Sequence, residues 1–537
     1  MDHASLLDAW KSRVRKNPER AALRYFDGVL TAAEVERASD ALAIAFASRG
    51  TQRGDRLAIY LQNIPQYVLI LLAIWKLGAI AVPVNPMYRR AELRRLIDDA
   101  GAIGIICADT TVPETLETLR DSPVRWYIST SILDLQSRDD PRIFSDVERL
   151  APAPDGDVMA LVREYDGAAP SALEIASDDI ALLVYTSGTT GRPKGAQNTH
   201  GNVLNVAVNF GEWAHLSTGD VVFALAPLFH ITGAVINAVV SLITDTTLVF
   251  TGRFNPDVAL EAFAEHRVTY TISSITVFNA ILELPHAEPR HFSSVKALYS
   301  GGAPIPPATV DRFRRRFGVY IHNAYGMTET SSGVIAVPLG KDAPVHAASG
   351  TLSIGVPLPN LMARVMDANG ETVEAGGEGE LELSGPQVIT GYWRNEEATQ
   401  QTVSGGRLRT GDVAIIDEQG WVYLVDRLKD VINVSGFKVW PREVEDVLYE
   451  HPSVLEAAVV GVPDEYRGEN VVAYVSLKNG TFADEQELVG FAKERLAAYK
   501  YPREIHIIDA LPKTLTGKIR RRDLREPGGI LGAESNS

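Results

Sequence analysis

Short runs rich in Val, Ile and Leu alternate with longer helical patterns, and this alternation constrains the fold more than any other feature of the sequence. An apolar run at 57–60 is followed by a helical stretch at 67–77 and a second run at 79–83. The same texture returns at 180–185, 221–226, 247–250 and 297–300. Strand, helix and strand in succession describe a parallel sheet with helices on its faces. An α/β fold is therefore expected, with a large N-terminal domain of parallel sheets flanked by helices. The longest apolar stretch, 67–84, is interrupted by Lys76 and Gly78 and contains Pro83. It reads as a buried helix followed by a strand, and not as a membrane span. With 45% apolar residues in 537, the chain can bury a large core distributed over two to four structural units.

The texture changes along the chain. Residues 151–172, rich in Pro, Asp, Gly and Ala, read as a surface loop. From about 357 to 426 short alternating strands at 362–366, 379–384, 413–417 and 421–425 predict a β-rich subdomain, with tight turns at Asn369-Gly370 and Gln419-Gly420. Beyond Asp430 an α+β texture follows: helices at 441–450 and 485–499, strands at 457–462 and 470–477. The expected division is a large domain over 1–428, a small mobile α+β domain over 429–525, and a disordered tail at 526–537.

A net charge of -16 argues against nucleic acid as a partner, because phosphate backbones need a basic face. The single cysteine, Cys107, excludes an intrachain disulfide and, in its apolar run, reads as a small buried hydrophobe. One Cys with scattered His does not suggest structural zinc. The first 23 residues lack an apolar signal-peptide core, so a cytoplasmic protein without a transmembrane segment is expected.

The strongest local feature is Tyr185-Thr-Ser-Gly-Thr-Thr-Gly-Arg-Pro-Lys-Gly195, between a buried strand and a helical pattern that begins near Asn202. Hydroxyls and backbone N–H groups of Thr186, Ser187, Gly188, Thr189, Thr190 and Gly191 can close around phosphate oxygens, and Lys194 adds a positive charge. It is not a Walker A loop, since Lys194 lies between Pro193 and Gly195.

This loop resembles the signature of the adenylate-forming superfamily, which includes acyl-CoA synthetases, nonribosomal-peptide adenylation domains and firefly-type luciferases. Further matches follow in the family's order: Tyr299-Ser-Gly-Gly-Ala-Pro304, Tyr325-Gly-Met-Thr-Glu329, Thr410-Gly-Asp412, Asp426-Arg-Leu-Lys-Asp430 with Ser435-Gly436, and Pro512-Lys-Thr-Leu-Thr-Gly-Lys518.

The resemblance implies that Thr186 to Thr190 and Lys194 hold the β- and γ-phosphates of ATP. It implies that Gly301, Gly302 and Ala303 form a flat wall against the adenine, on which Tyr325 stacks, with Asn323, Ala324, Gly326 and Met327 around it. Thr328 would bond the α-phosphate, and Glu329 with Thr186 would ligate Mg²⁺. Asp412 matches the acidic residue that holds the ribose hydroxyls, though on composition alone it reads equally as part of a β-turn. Arg427 would reach the ribose or α-phosphate, and Lys429 matches the hinge between the two domains. Lys518 matches the residue that bridges the substrate carboxylate and the α-phosphate. Ser435 and Gly436 match the face that contacts the pantetheine arm of coenzyme A.

The implied reaction turns a carboxylic acid into an acyl-adenylate and passes the acyl group to CoA, with no protein nucleophile. The chain accordingly lacks a Gly-x-Ser-x-Gly elbow. Pro227-Leu-Phe-His-Ile-Thr-Gly233 resembles the segment lining the acyl pocket; His230, Ile231, Gly333 and Val334 are the wall positions, with His230 equally readable as a core histidine. An apolar wall without a charged residue favours a medium- or long-chain fatty acid. An aromatic or alicyclic acid, delivery to a carrier protein in trans, and a nucleotide-binding relative without catalysis remain as alternatives, and a homodimer is left open. One departure separates the chain from plant 4-coumarate ligases and luciferases, which carry lysines where it has Asn433 and Ser435.

Overall fold

The computed structural model describes residues 3–186, 193–303, 305–347, 350–427, 430–434, 437–464, 467–514 and 519–525. Two large sheets build the N-terminal part. In the first, six strands run in the order Trp126–Thr130, Gly104–Ala108, Arg56–Tyr60, Ile80–Pro83, Ile180–Thr186 and Lys194–Thr199. All neighbours are parallel except the last pair. The second sheet has nine strands, from Val356–Pro357 through Ser332–Ala336, Ile321–Met327, Ala297–Gly301, Tyr270–Ser273, Val221–Phe223, Thr247–Phe250 and Ala21–Tyr25 to Gly28–Thr31. Its centre is parallel, and both edges turn antiparallel. Next to one edge, the N-terminal strand lies parallel to a distant partner, with Leu23 next to Leu248.

Helix Pro65–Lys76 packs within one continuous core to which both sheets contribute, and all twelve of its residues are buried. Even Lys76 is enclosed, its ammonium held by Glu36 at 2.8 Å and Asp40 at 2.7 Å. A helix apolar on every side must be covered on every side, as the pattern at 67–84 predicts. Cys107 is buried likewise. No helix among the described residues is long and apolar enough to cross a membrane.

The β-rich sheet joins Met362–Met366, Glu378–Ser384, Arg407–Ile416, Val403–Ser404 and Val422–Arg427, all antiparallel. Gly370 and Gly420 take the positive φ values, 81° and 83°, that the expected turns require. A separate C-terminal sheet pairs Phe437–Val439, Ile432–Val434, Gly468–Leu477, Val454–Asp464 and Glu504–Ile507 over its own apolar cluster.

Two expectations need correction. The stretch 151–172 is not all loop: Val158–Glu164 is a helix, started by the Asp157 carboxylate accepting from Ala160 N–H and anchored by buried Val158 and Leu161. Its flanking Pro, Gly and Asp residues conceal a short apolar face. The helix at 485–499 ends at Arg495, where Leu496 becomes extended with φ -116° and ψ 151°. The expected tail at 526–537 and hinge residue Lys429 lie outside the described residues.

Candidate active site

Strand Ile180–Thr186 ends directly opposite the start of Lys194–Thr199, with Thr186 paired to Lys194. The glycine- and hydroxyl-rich loop therefore leaves and re-enters the sheet at one point. Ser187, Gly188, Thr189, Thr190 and Gly191 lie outside the described residues, but the loop's two ends are fixed. The outer edge of Lys194–Thr199 is covered by the segment around Tyr392: Trp393 N–H donates to Gly195 O at 2.7 Å, and Gln197 N–H donates to Gly391 O at 3.1 Å.

That segment brings a residue with no assigned role in the motifs. The Tyr392 hydroxyl donates to Glu329 Oε1 at 2.6 Å, and Lys194 Nζ lies 5.2 Å from the centre of the Tyr392 ring. Tyr392 thus connects the loop lysine with the carboxylate expected to hold magnesium. Burial and the neighbouring Glu329 charge both raise the Tyr392 pKa, so the phenol stays protonated and donates. Its trace in the sequence is a Gly-Tyr-Trp triplet at 391–393.

Asn198, on the same strand, ties Thr328 and Glu329 to the loop. Its amide donates to Thr328 O and to Ser331 Oγ, each at 2.9 Å. From the other side Ile389 N–H donates to Glu329 O at 2.9 Å. After Thr328–Thr330 the chain doubles back through Ser331 and Ser332, at φ 55° and 115°. Two successive non-glycine residues in this region are strained, and such strain persists only where surrounding structure enforces it. The reversal presses Ser332 against Gly326, where a Cβ would meet Ser332 O at 1.9 Å.

The expected nucleotide face is assembled from three segments. Gly301 pairs with Ala324 in adjacent strands, and a Cβ at Gly301 would come within 2.6 Å of Ala324 O. Gly302 has φ 81°. Neither Gly301 nor Gly302 could carry a side chain here without strain. Tyr325, from the same strand as Ala324, donates its hydroxyl to Asp412 Oδ2 at 2.7 Å. The bond joins the nine-stranded sheet to the β-rich sheet and brings the expected adenine-stacking and ribose-holding residues into contact. Asp412 sits across from Arg427 in the antiparallel register, placing the Arg427 backbone at the same site. Asn323 turns aside: its amide donates to Ser353 O at 3.2 Å, and only 2% of the residue is exposed.

The expected acyl-wall residues Ile231, Gly333 and Val334 are buried. Ile231, Val334 and Tyr325 share the main core cluster. Gly333 is hemmed in: a Cβ there would lie 2.9 Å from Ile236 Cδ1 and 3.0 Å from Phe210 Cε2. Phe210 in turn meets Tyr299 edge-on, with ring centroids 5.3 Å apart. Ile236 belongs to a segment wound as a π-helix, Thr232–Val239, whose wider turn directs Asn237 onto the backbone of Ile272. His230 is half-buried at the head of this segment and accepts from Thr232 N–H through Nδ1 at 3.3 Å. Ser435, Gly436 and Lys518 lie outside the described residues, as does the Arg427 side chain.

The arrangement holds one buried carboxylate, Glu329, beside a hydroxyl-bearing strand end at Thr186. Among the described residues no group of three or more His, Cys, Asp or Glu side chains could hold a metal. One carboxylate and one hydroxyl do not make an all-protein cage. They do suit a magnesium that takes most of its ligands from phosphates and water.

A model of the family described as AMP-binding enzyme matches residues 10–393, and one described as AMP-binding enzyme C-terminal domain matches 443–518. A long-chain-fatty-acid–CoA ligase of Escherichia coli O6:H1 is 35% identical over 98% of this chain and 94% of its own length. A feruloyl-CoA synthase of an Amycolatopsis species is 34% identical over 97% of this chain and 99% of its own. Among solved structures, ATP-bound MatB from Rhodopseudomonas palustris superposes with a TM-score of 0.87 at 26% identity, covering 98% of this chain and 99% of that one.

Proposed function

The chain belongs to the AMP-binding enzyme family and is an AMP-forming acid–thiol ligase, and from this premise we propose that it activates a medium- or long-chain fatty acid and delivers it to coenzyme A. The observation carrying the choice of acid is the wall beside Tyr325. Ile231, Val334, Ile236 and Phe210 are all buried and apolar. A charged substituent on the acid would be desolvated there without a partner.

In the first half-reaction the substrate carboxylate oxygen attacks the α-phosphorus of ATP. A phosphorus–oxygen bond forms, the bond to the β-phosphate breaks, and pyrophosphate leaves. Thr186 and Lys194 flank the loop that holds the departing phosphates. Tyr325 and Asp412 fix the nucleoside, and Thr328 meets the α-phosphate. Thr186 and Glu329 are the protein ligands for magnesium, which when bound offsets phosphate charge. Lys518 bridges the two anions. In the second half-reaction the CoA sulfur attacks the acyl carbonyl carbon, the bond to AMP breaks, and the thiol proton passes to solvent. Ser435 and Gly436 meet the pantetheine arm, and Lys429 is the hinge between the two arrangements.

An aromatic acid is a second reading, favoured by Phe210 beside Gly333, where a Cβ would stand 3.0 Å from the ring carbon Cε2. Pyrophosphate release over a panel of straight-chain and aromatic acids, with and without CoA, separates the two. CoA-dependent turnover on dodecanoate or hexadecanoate is expected. Turnover confined to hydroxycinnamic or benzoic acids would replace the fatty-acid reading. Acyl-AMP accumulating without thioester would point to a carrier protein as acceptor.

Tyr392→Phe keeps the ring under Lys194 and removes the hydrogen bond to Glu329. A hydrogen bond to a charged group contributes about 1.5–3 kcal/mol. Adenylation at limiting Mg²⁺ is therefore expected to fall roughly tenfold, with partial recovery as Mg²⁺ is raised. A magnesium titration identical to that of the parent protein would remove Tyr392 from the site.

A further inference from the structure

Residues 224–231 leave the nine-stranded sheet after Val221–Phe223 and run, as neither strand nor helix, into the π-helix Thr232–Val239. Ala224, Leu225, Ala226 and Leu228 are buried all the same. Backbone polar groups enclosed in irregular chain need partners that no ladder supplies. Here the partners come from the other large sheet. Asn63, in the turn between strand Arg56–Tyr60 and helix Pro65–Lys76, donates its amide to Ala224 O at 2.7 Å and to Ala226 O at 2.9 Å. The same side chain accepts from Leu228 N–H at 2.8 Å. Both kinds of hydrogen-bonding group in one amide are thus spent on a single stretch of backbone. Tyr67, in the first turn of the helix, adds a bond from its hydroxyl to Leu228 O at 3.1 Å. Asn63 is 6% exposed and Tyr67 1%. Burial raises the Tyr67 pKa, so the phenol keeps its proton and donates.

The backbone that Asn63 holds is the backbone against which the π-helix is seated. A Cβ at Gly233 would stand 2.1 Å from Pro227 O and 2.6 Å from Ala226 O, so nothing separates the first turn of that helix from the residues Asn63 bonds. His230 N–H donates to Pro227 O at 3.1 Å, and Ala234 N–H to His230 O at 3.0 Å, which continues the contact through Ile231. At the far end Asn237 exchanges both amide hydrogen bonds with the backbone of Ile272, at 3.2 and 3.4 Å. The segment carrying Ile231 and Ile236, two residues of the proposed acyl wall, is therefore braced at each end by a buried asparagine. We propose that Asn63, seconded by Tyr67, is a positioning residue for the acid substrate: by holding Ala224, Ala226 and Leu228 it sets where Ile231 and Ile236 stand and so which acids fit. The inference rests on the reading that 227–233 lines the acyl pocket. An ionised aspartate could not replace Asn63, because it has the acceptor for Leu228 N–H but no hydrogen for the two carbonyls.

Four variants of the full chain test this. Asn63→Asp is nearly isosteric and turns an oxygen toward two carbonyl oxygens. Tyr67→Phe removes only the bond to Leu228 O and is the milder change if Asn63→Asp does not fold. Ile231→Ala alters the wall itself. Leu96→Ala controls for stability alone, since Leu96 is buried in the cluster on the opposite face of the six-stranded sheet from helix Pro65–Lys76. Pyrophosphate release is measured with octanoate, dodecanoate, hexadecanoate and benzoate, varying acid and ATP separately, and thermal midpoints are recorded. Asn63→Asp is expected to raise KM for the preferred acid about tenfold and to shift the ratio of kcat/KM between acids about threefold or more, because small displacements of a pocket wall change discrimination. Tyr67→Phe should move both quantities the same way by less. KM for ATP should stay near the parental value in both, and Leu96→Ala should lower the thermal midpoint without changing the ratio. A KM for ATP that rises in step with that for the acid would overturn the positioning role. So would parental ratios in Asn63→Asp and Tyr67→Phe beside an altered ratio in Ile231→Ala. A parental ratio in Ile231→Ala would overturn the reading of the acyl wall, and the inference with it. A parent protein that releases no pyrophosphate with any acid would overturn the functional reading instead.

Discussion

Lys518→Ala is expected to lower acyl-adenylate formation by roughly two to three orders of magnitude while leaving ATP binding nearly intact. The reasoning is electrostatic. Two anions, the carboxylate and the α-phosphate, must approach to bonding distance, and charge builds at phosphorus as they do. Removing a single preorganised donor from such a centre costs on the order of 10²–10³ in rate, and here the donor also carries a full positive charge. Thioester formation from supplied acyl-adenylate no longer needs that bridge and should change far less. Rapid-quench pyrophosphate release beside a thiol-consumption assay reads the two steps separately. Parental adenylation in the variant would mean that Lys518, followed by Ile-Arg-Arg-Arg, is one more solvated charge.

Gly326→Ala should be nearly as damaging, for a steric reason. A Cβ at this position would stand 1.9 Å from Ser332 O and 2.5 Å from Ser332 C, both backbone atoms of the next strand. Nothing flexible can yield. The strand must separate from its partner, and overpacking of this kind costs about 3 kcal/mol. Because Gly326 stands between Tyr325 and Thr328, the displacement moves the proposed nucleoside and α-phosphate contacts together. A shift of about 1 Å in a reacting group can cost roughly a hundredfold in rate. A lower melting temperature and at least that loss of pyrophosphate release are expected. A variant with parental stability and activity would show that the reversal at Ser331 and Ser332 adapts more readily than its geometry suggests.

Much of the framework is legible in the sequence because period and punctuation coincide there. The apolar runs at 247–250 and 362–366 are strands with those same bounds. The antiparallel edges are not legible, since Ser332–Ala336 and Lys194–Thr199 have the same composition whichever way they pair. At the expected site, the glycines at 301 and 326 declare positions where backbone approaches backbone, and that at 302 a left-handed conformation. Tyr392 could not be found in that way. Its role comes from a segment 63 residues beyond Glu329 in the chain folding back over the strand at Lys194. Arg521 is hidden for the opposite reason: in the sequence it is part of a charge run that looks like solvated surface, whereas its guanidinium donates to Glu445 at 2.7 and 2.8 Å. Asn323 illustrates a further limit. Its motif position suggests a ligand contact, whereas its amide is engaged by Ser353 O.

The pairing of Leu23 with Leu248 has a consequence for how the chain is made. The N-terminal strand emerges from the ribosome about 225 residues before the neighbour it will lie beside. Helix Pro65–Lys76, apolar on every face, appears early in the same interval. At roughly 5–20 residues per second, the gap lasts on the order of ten to forty-five seconds. Through that time the strands that flank the helix, Arg56–Tyr60 and Ile80–Pro83, can already pair beside it, while the face that meets the nine-stranded sheet stays uncovered. Folding of this half is tied to the completion of its middle, and the uncovered face stays exposed until then. Fragments that stop before about residue 250 lack the partner strand and will aggregate, however native-like their first βαβ units are.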